Sequence, residues 1–147
     1  MTFAAEFLSE VKEVASGVDE DSLFVGHSVG CQTILRYLET LPQETKIGKV
    51  ILIAPWLTLQ HLDDDESPST AKPWLETPVG FEKILDHTHD FTCFLSTNDP
   101  YVPLDFAKKL KDDIPNSELY VVLRSGHYVQ EERGEDVRAA LKEFIDK

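Results

Sequence analysis

The chain predicts a single α/β domain in three layers, with helices on both faces of a mostly parallel sheet. Three observations carry that expectation. Four short apolar runs rich in β-formers alternate with stretches of helical periodicity, the pattern of parallel strands joined by helical crossovers. The length of 147 residues suits one domain with a sizeable core, and no internal repeat divides it. One strand-to-helix junction is compressed into Gly26-His27-Ser28-Val29-Gly30, which leaves little room for anything but a tight turn.

The elements follow in order. Phe3, Phe7, Leu8, Val11 and Val14 recur at helical spacing, so the chain opens on an amphipathic helix that ends near Gly17. Strands are expected at 22–25, 49–54, 91–96 and 119–123, and helices at 31–41, 81–87, 104–114 and 136–145. The stretch 56–79 fits neither pattern. It contains Pro68, Pro73 and Pro78, both tryptophans and the run Asp63-Asp64-Asp65-Glu66, and reads as a lid-like excursion of the single domain 1–147. That acidic run lacks the spaced oxygen ligands and the glycine of a calcium loop and is taken as a solvated face.

Composition limits the partners. With 27 acidic against 14 basic residues, a net charge of −13, the chain has no basic cluster for nucleic acid or an anionic membrane, and neither is expected as a partner. No stretch has the form of a signal peptide or the length of a membrane span, so a cytoplasmic address is expected. Cys31 and Cys93 lie in apolar runs and are expected as reduced, buried thiols; their spacing builds no zinc site.

Chemistry enters at Ser28. The apolar run Leu23-Phe24-Val25 leads into the glycine-flanked serine and a helical pattern leaves it, the context of a nucleophile elbow. A serine hydroxyl needs a base to take its proton and a third group to orient that base. Asp99 follows the strand at 91–96 and His127 follows the strand at 119–123, both where open α/β sheets place functional groups. A plainer reading makes Asp99 an Asx turn before Pro100 and His127 a loop residue. His27, Trp56 and Trp74 are expected near the substrate, Val29 as an oxyanion donor, and the pair His87 and His89 in solvent or at a helix C-terminus rather than on a metal.

Taken together, the elbow Gly-His-Ser-Val-Gly-Cys, the segment Ile53-Ala54-Pro55-Trp56, the run Phe81-Glu82-Lys83-Ile84, the loop Asn98-Asp99-Pro100-Tyr101-Val102-Pro103 and the turn Gly126-His127 resemble a known family. It is that of the small serine hydrolases of α/β-hydrolase fold related to retinoblastoma-binding protein nine. The resemblance implies a triad of Ser28, Asp99 and His127 that cleaves small acyl esters or related acyl compounds without a cofactor. It also implies a preceding strand and a His-Gly loop supplying a second oxyanion amide, neither of which occurs in this sequence. The strand at 22–25 is therefore expected as a sheet edge, open to a homodimer or strand exchange. Catalysis with one oxyanion donor is expected to be slowed, by roughly a hundredfold to a thousandfold. A serine esterase is the leading expectation, and a catalytically weak interaction module on the same fold is the alternative. A dinucleotide-binding module is set aside, because the turn lacks the third glycine and the acidic ribose partner of that motif.

Overall fold

A computed structural model describes residues 3–57, 67–122 and 127. Helix α1 (Phe3–Val14) precedes strand β1 (Leu23–His27), helix α2 (Val29–Leu38) and strand β2 (Lys49–Ile53). Helices α3 (Ser67–Glu76) and α4 (Phe81–Leu85) lead to strand β3 (Phe91–Ser96), which helix α5 (Phe106–Asp113) joins to strand β4 (Glu118–Val122). The described strands form one sheet in the order β1-β2-β3-β4, and every neighbouring pair is parallel. Sequential parallel strands need helical crossovers, and α2, the α3–α4 pair and α5 supply them.

The interior strands have the composition that burial on two faces demands. Val50, Ile51 and Leu52 of β2 are fully buried, and all six residues of β3 are buried. Helix α2 is the most enclosed helix described, with Cys31, Ile34, Leu35, Tyr37 and Leu38 in the core. Removing a Leu or Ile side chain from water is worth about 1.5–3 kcal/mol, so this one helix contributes several such increments. Its two buried polar side chains each donate to a backbone carbonyl, although Gln32 Oε1 accepts nothing among the described residues. Thr33 Oγ1 donates to Val29 O at 3.1 Å, and Gln32 Nε2 donates to Trp56 O at 2.6 Å. The Tyr37 hydroxyl donates to Ala15 O at 2.9 Å and ties α2 to the end of α1.

Several element boundaries differ from the sequence expectation. Strand β1 runs through Gly26 to His27 and α2 begins at Val29, so Ser28 alone separates strand from helix. The excursion at 56–79 contains α3, whose helical period is masked by Pro68 and Pro73. Pro68 falls in the first turn, where its missing N–H goes unneeded, whereas Pro73 lies inside the helix and removes one rung. Of the two settings expected for His87 it has the helix C-terminus, just past α4, and not solvent: it is 3% exposed, its Nδ1–H donates to Thr45 O at 2.8 Å and its carbonyl accepts from Ile47 N. His89 is exposed. The expected helix at 136–145 and the acidic run at 63–66 lie outside the described residues.

Strand β1 is an edge of the described sheet. Ser22 O accepts from Gly48 N and Ser28 N donates to Ile53 O, so by the period of two the backbone groups of Leu23, Val25 and His27 face away from β2. Among the described residues no helix is long and apolar enough to cross a membrane.

Candidate active site

The turn after β1 is where the sequence strains the backbone. Ser28 has φ 54° and ψ −117°, in the region L-residues avoid, and so stands as a single residue between strand and helix. Gly26 is what lets the two backbones come so close. A Cβ there would lie 2.8 Å from Ile34 Cδ1 and 2.9 Å from both Cys31 N and Gly30 C. Gly30 has no such duty, since a Cβ on it would meet nothing within 4 Å among the described residues. The two glycines of the motif are therefore unequal. Val29 opens α2, and its N–H, one of the orphan donors of a helix start, takes no partner among the described residues.

Asp99 lies past the end of β3, 8% exposed, and divides its carboxylate between two tasks. Oδ1 accepts the Tyr101 and Val102 amides at 2.9 and 3.1 Å, which is the Asx turn of the plainer reading. Oδ2 accepts from His127 Nδ1 at 2.7 Å. A carboxylate can only accept, so Nδ1 carries the proton and Nε2 is left as the acceptor. Ser28 Oγ–H donates to that Nε2 at 2.8 Å. The three residues thus form one hydrogen-bonded line from hydroxyl through imidazole to carboxylate.

Sheet geometry makes this convergence demanding. With strands roughly 4.8 Å apart, the ends of β1 and β4 are separated by about 14 Å. The chain from Val122 to His127 can span at most about 17 Å. His127 Nε2 nonetheless meets Ser28 Oγ at 2.8 Å, so its imidazole joins the carboxyl end of β1 to Asp99 beyond β3.

The remaining sequence-designated residues are placed differently from one another. Trp56, buried just past β2, donates its indole N–H to Ser28 Oγ at 3.3 Å and so borders that hydroxyl. His27 Nε2 donates to the carbonyl of His127 at 2.6 Å, and the two rings lie 5.0 Å apart. Trp74, 3% exposed on α3, has no hydrogen bond or ring contact with Ser28 or His127. It lines a separate open pocket with Leu57, Val79, Phe81 and Lys109.

Sequence reading missed three supports. Tyr101 sets its ring edge-on against His127 at 5.2 Å. Gln32 holds the carbonyl of Trp56; its signal was a polar side chain amid the core positions Cys31, Ile34 and Leu35. Arg36 gathers the carbonyls of Trp74, Thr77 and Pro78 at the end of α3, which nothing in the sequence announced. Both thiols are buried and free. Burial pushes the Cys31 thiol far up and the Cys93 thiol up to about 12, which leaves neither as a nucleophile. Among the described residues no cluster of three or more His, Cys, Asp or Glu could hold a metal ion.

Comparison with known proteins agrees with this architecture. The hydrolase YdeN of Bacillus subtilis (strain 168) is 31% identical over 117 residues, which cover 77% of this chain and 56% of YdeN. Serine hydrolase RBBP9 of Rattus norvegicus is 27% identical over 120 residues, covering 82% of this chain and 60% of that protein. The chain thus spans little more than half the length of these relatives. The crystal structure of the B. subtilis ydeN product superposes with a TM-score of 0.77 at 25% identity, over 99% of this chain and 77% of that one. A carboxylesterase structure from Nitrososphaera gargenis, at 15% identity, shares the fold with a TM-score of 0.73 over 99% of this chain and 72% of that one. The serine hydrolase profile matches residues 3–139, nearly the whole chain, and with the parallel sheet and its solved neighbours this places the protein in the serine hydrolase family, on an α/β-hydrolase fold.

Proposed function

We propose that the chain carries the catalytic machinery of a serine esterase acting on small acyl esters. The observation that supports this best is the unbroken line Ser28 Oγ to His127 Nε2 and His127 Nδ1 to Asp99 Oδ2, at 2.8 and 2.7 Å, with the serine in a strained turn. Ser28 Oγ attacks the acyl carbon as its proton passes to His127 Nε2. Asp99 stabilises the resulting imidazolium and keeps it oriented. The carbonyl oxygen takes up negative charge near the Val29 N–H, unpartnered among the described residues, at the positive end of α2, and His127 returns the proton to the departing alkoxide. Water, deprotonated by the same imidazole, then releases the acid from the acyl-serine. Each proton has a donor and an acceptor within the triad, so the cycle calls on no cofactor. The contact of Trp56 with Ser28 Oγ supports a role for its ring beside the acyl group.

Hydrolysis of p-nitrophenyl acetate tests the reading. A burst of one nitrophenolate per chain, absent from Ser28→Ala, is expected. Equal turnover by wild type and Ser28→Ala would refute it.

One observation favours a second role beside the first. Leu23 and Val25 are 39% and 45% exposed on β1, whose outward backbone groups are open to another strand. Two copies pairing these edges about a two-fold axis would place β1 antiparallel to β1. Light scattering that gives the mass of a dimer, reduced to a monomer by Val25→Lys, supports this role; a monomer at all concentrations removes it.

A further inference from the structure

We propose that His27 is a positioning residue that locks the main chain of His127 against the nucleophile. The inference rests on the triad reading and adds a component to it. Ser28 grips the His127 side chain at Nε2, at 2.8 Å, while its covalent neighbour His27 grips the His127 carbonyl at 2.6 Å. One residue is thus held at two points by two consecutive residues of the β1–α2 junction. The carbonyl can only accept, so His27 must carry its proton on Nε2. Its ring also lies 5.0 Å from the His127 ring, so ring packing and the hydrogen bond are separable contributions.

Alternation along β1 explains how the side chain gets there. Phe24 meets Tyr37 of α2 with ring centroids 5.8 Å apart, and a Cβ on Gly26 would press on Ile34 of the same helix. By the period of two, Leu23, Val25 and His27 project from the opposite face. His27, at the carboxyl end of that row, is the last strand residue before the turn and the one that reaches the histidine loop. Asp99 and Ser28 both act on the imidazole; His27 acts on the backbone that carries it. Without that bond the ring can still reach Asp99, but its Nε2 is no longer fixed on Ser28 Oγ. Misplacement by about 1 Å at a reacting atom costs on the order of a hundredfold in rate.

The test compares His27→Phe, which keeps a flat ring and loses the donor, with His27→Gln, whose amide N–H reaches about as far as Nε2. On p-nitrophenyl acetate, His27→Phe is expected to lower kcat by about 10- to 100-fold, with KM changed less than twofold and the thermal midpoint near that of wild type. The rate of fluorophosphonate inactivation should fall in parallel. His27→Gln should recover most of both losses. If His27→Phe does not fold, His27→Asn, with a donor too short to reach the carbonyl, takes its place in the comparison. An unchanged kcat in the donor-free variant overturns the proposal, as does a Gln variant no better than Phe. A raised KM at constant kcat overturns it as well, and would make His27 a substrate contact. These failures leave the hydrolase reading standing so long as wild type is labelled on Ser28; a wild type that is not labelled removes both.

Discussion

Exchanging each motif glycine for alanine separates two residues that the pattern treats alike. At Gly26 the new methyl would sit 2.8 Å from Ile34 Cδ1, a side-chain tip that can rotate, but also 2.9 Å from Cys31 N and Gly30 C, which are backbone atoms of the first turn of α2. Ordinary contact would require those atoms to retreat by about 0.5 Å, and overpacking of this kind costs about 1–3 kcal/mol. The retreat moves the turn that carries Ser28 and the Val29 amide, so activity should suffer more than stability, by about 10- to 100-fold. At Gly30 a methyl meets nothing within 4 Å, and the residue is helical, so alanine should stabilise by about 0.5–1 kcal/mol. Urea denaturation and p-nitrophenyl acetate turnover measured on both variants decide the matter. Equal damage at the two positions, or an undamaged Gly26→Ala, would refute the close-approach argument.

Other perturbations follow from the same contacts. Asp99→Asn keeps an oxygen for the Tyr101 and Val102 amides but presents an N–H to His127 Nδ1, forcing the wrong tautomer; turnover should fall by about 10⁴-fold while urea stability stays within about 1 kcal/mol. Arg36→Leu strands the carbonyls of Trp74, Thr77 and Pro78, and should cost about 2–3 kcal/mol and open α3 to limited proteolysis. The buried thiols should ignore Ellman's reagent at pH 8 until the chain is unfolded. Because the folded state holds the Cys93 proton up to about pH 12 and the unfolded state releases it near 9, stability should be flat below about pH 9 and fall above it. The slope expected is about 1.4 kcal/mol per pH unit for each buried thiol, read from urea midpoints; a flat profile between pH 9 and 11 would contradict it.

Much of the fold was legible because its signals are local. The runs at 49–54 and 91–96 are apolar enough to be buried strands, and β2 and β3 lie there within a residue of the expected ends. The elbow was legible because a strand, a glycine-flanked serine and a helix occur without a break. What the sequence hid depends on contacts between distant residues. Helix α3 escaped notice because Pro68 and Pro73 suppress the pattern while Arg36, far away on α2, caps its last carbonyls. The burial of His87 was hidden because its partner is a backbone carbonyl, at Thr45, which no side-chain pattern reveals. The two tasks of Asp99 could not be separated in one dimension, since the turn is local and the bond to His127 spans 28 residues. The bond of His27 to the His127 carbonyl was hidden for the same reason, since it spans 100 residues.

The central claim is that Ser28 is made nucleophilic by His127, and labelling with a fluorophosphonate followed by peptide mass mapping measures it most directly. One adduct per chain on the peptide containing Ser28, abolished in Ser28→Ala and slowed by orders of magnitude in His127→Ala, is the predicted result. Unmodified Ser28 in folded protein, or labelling indifferent to the loss of His127, would contradict it.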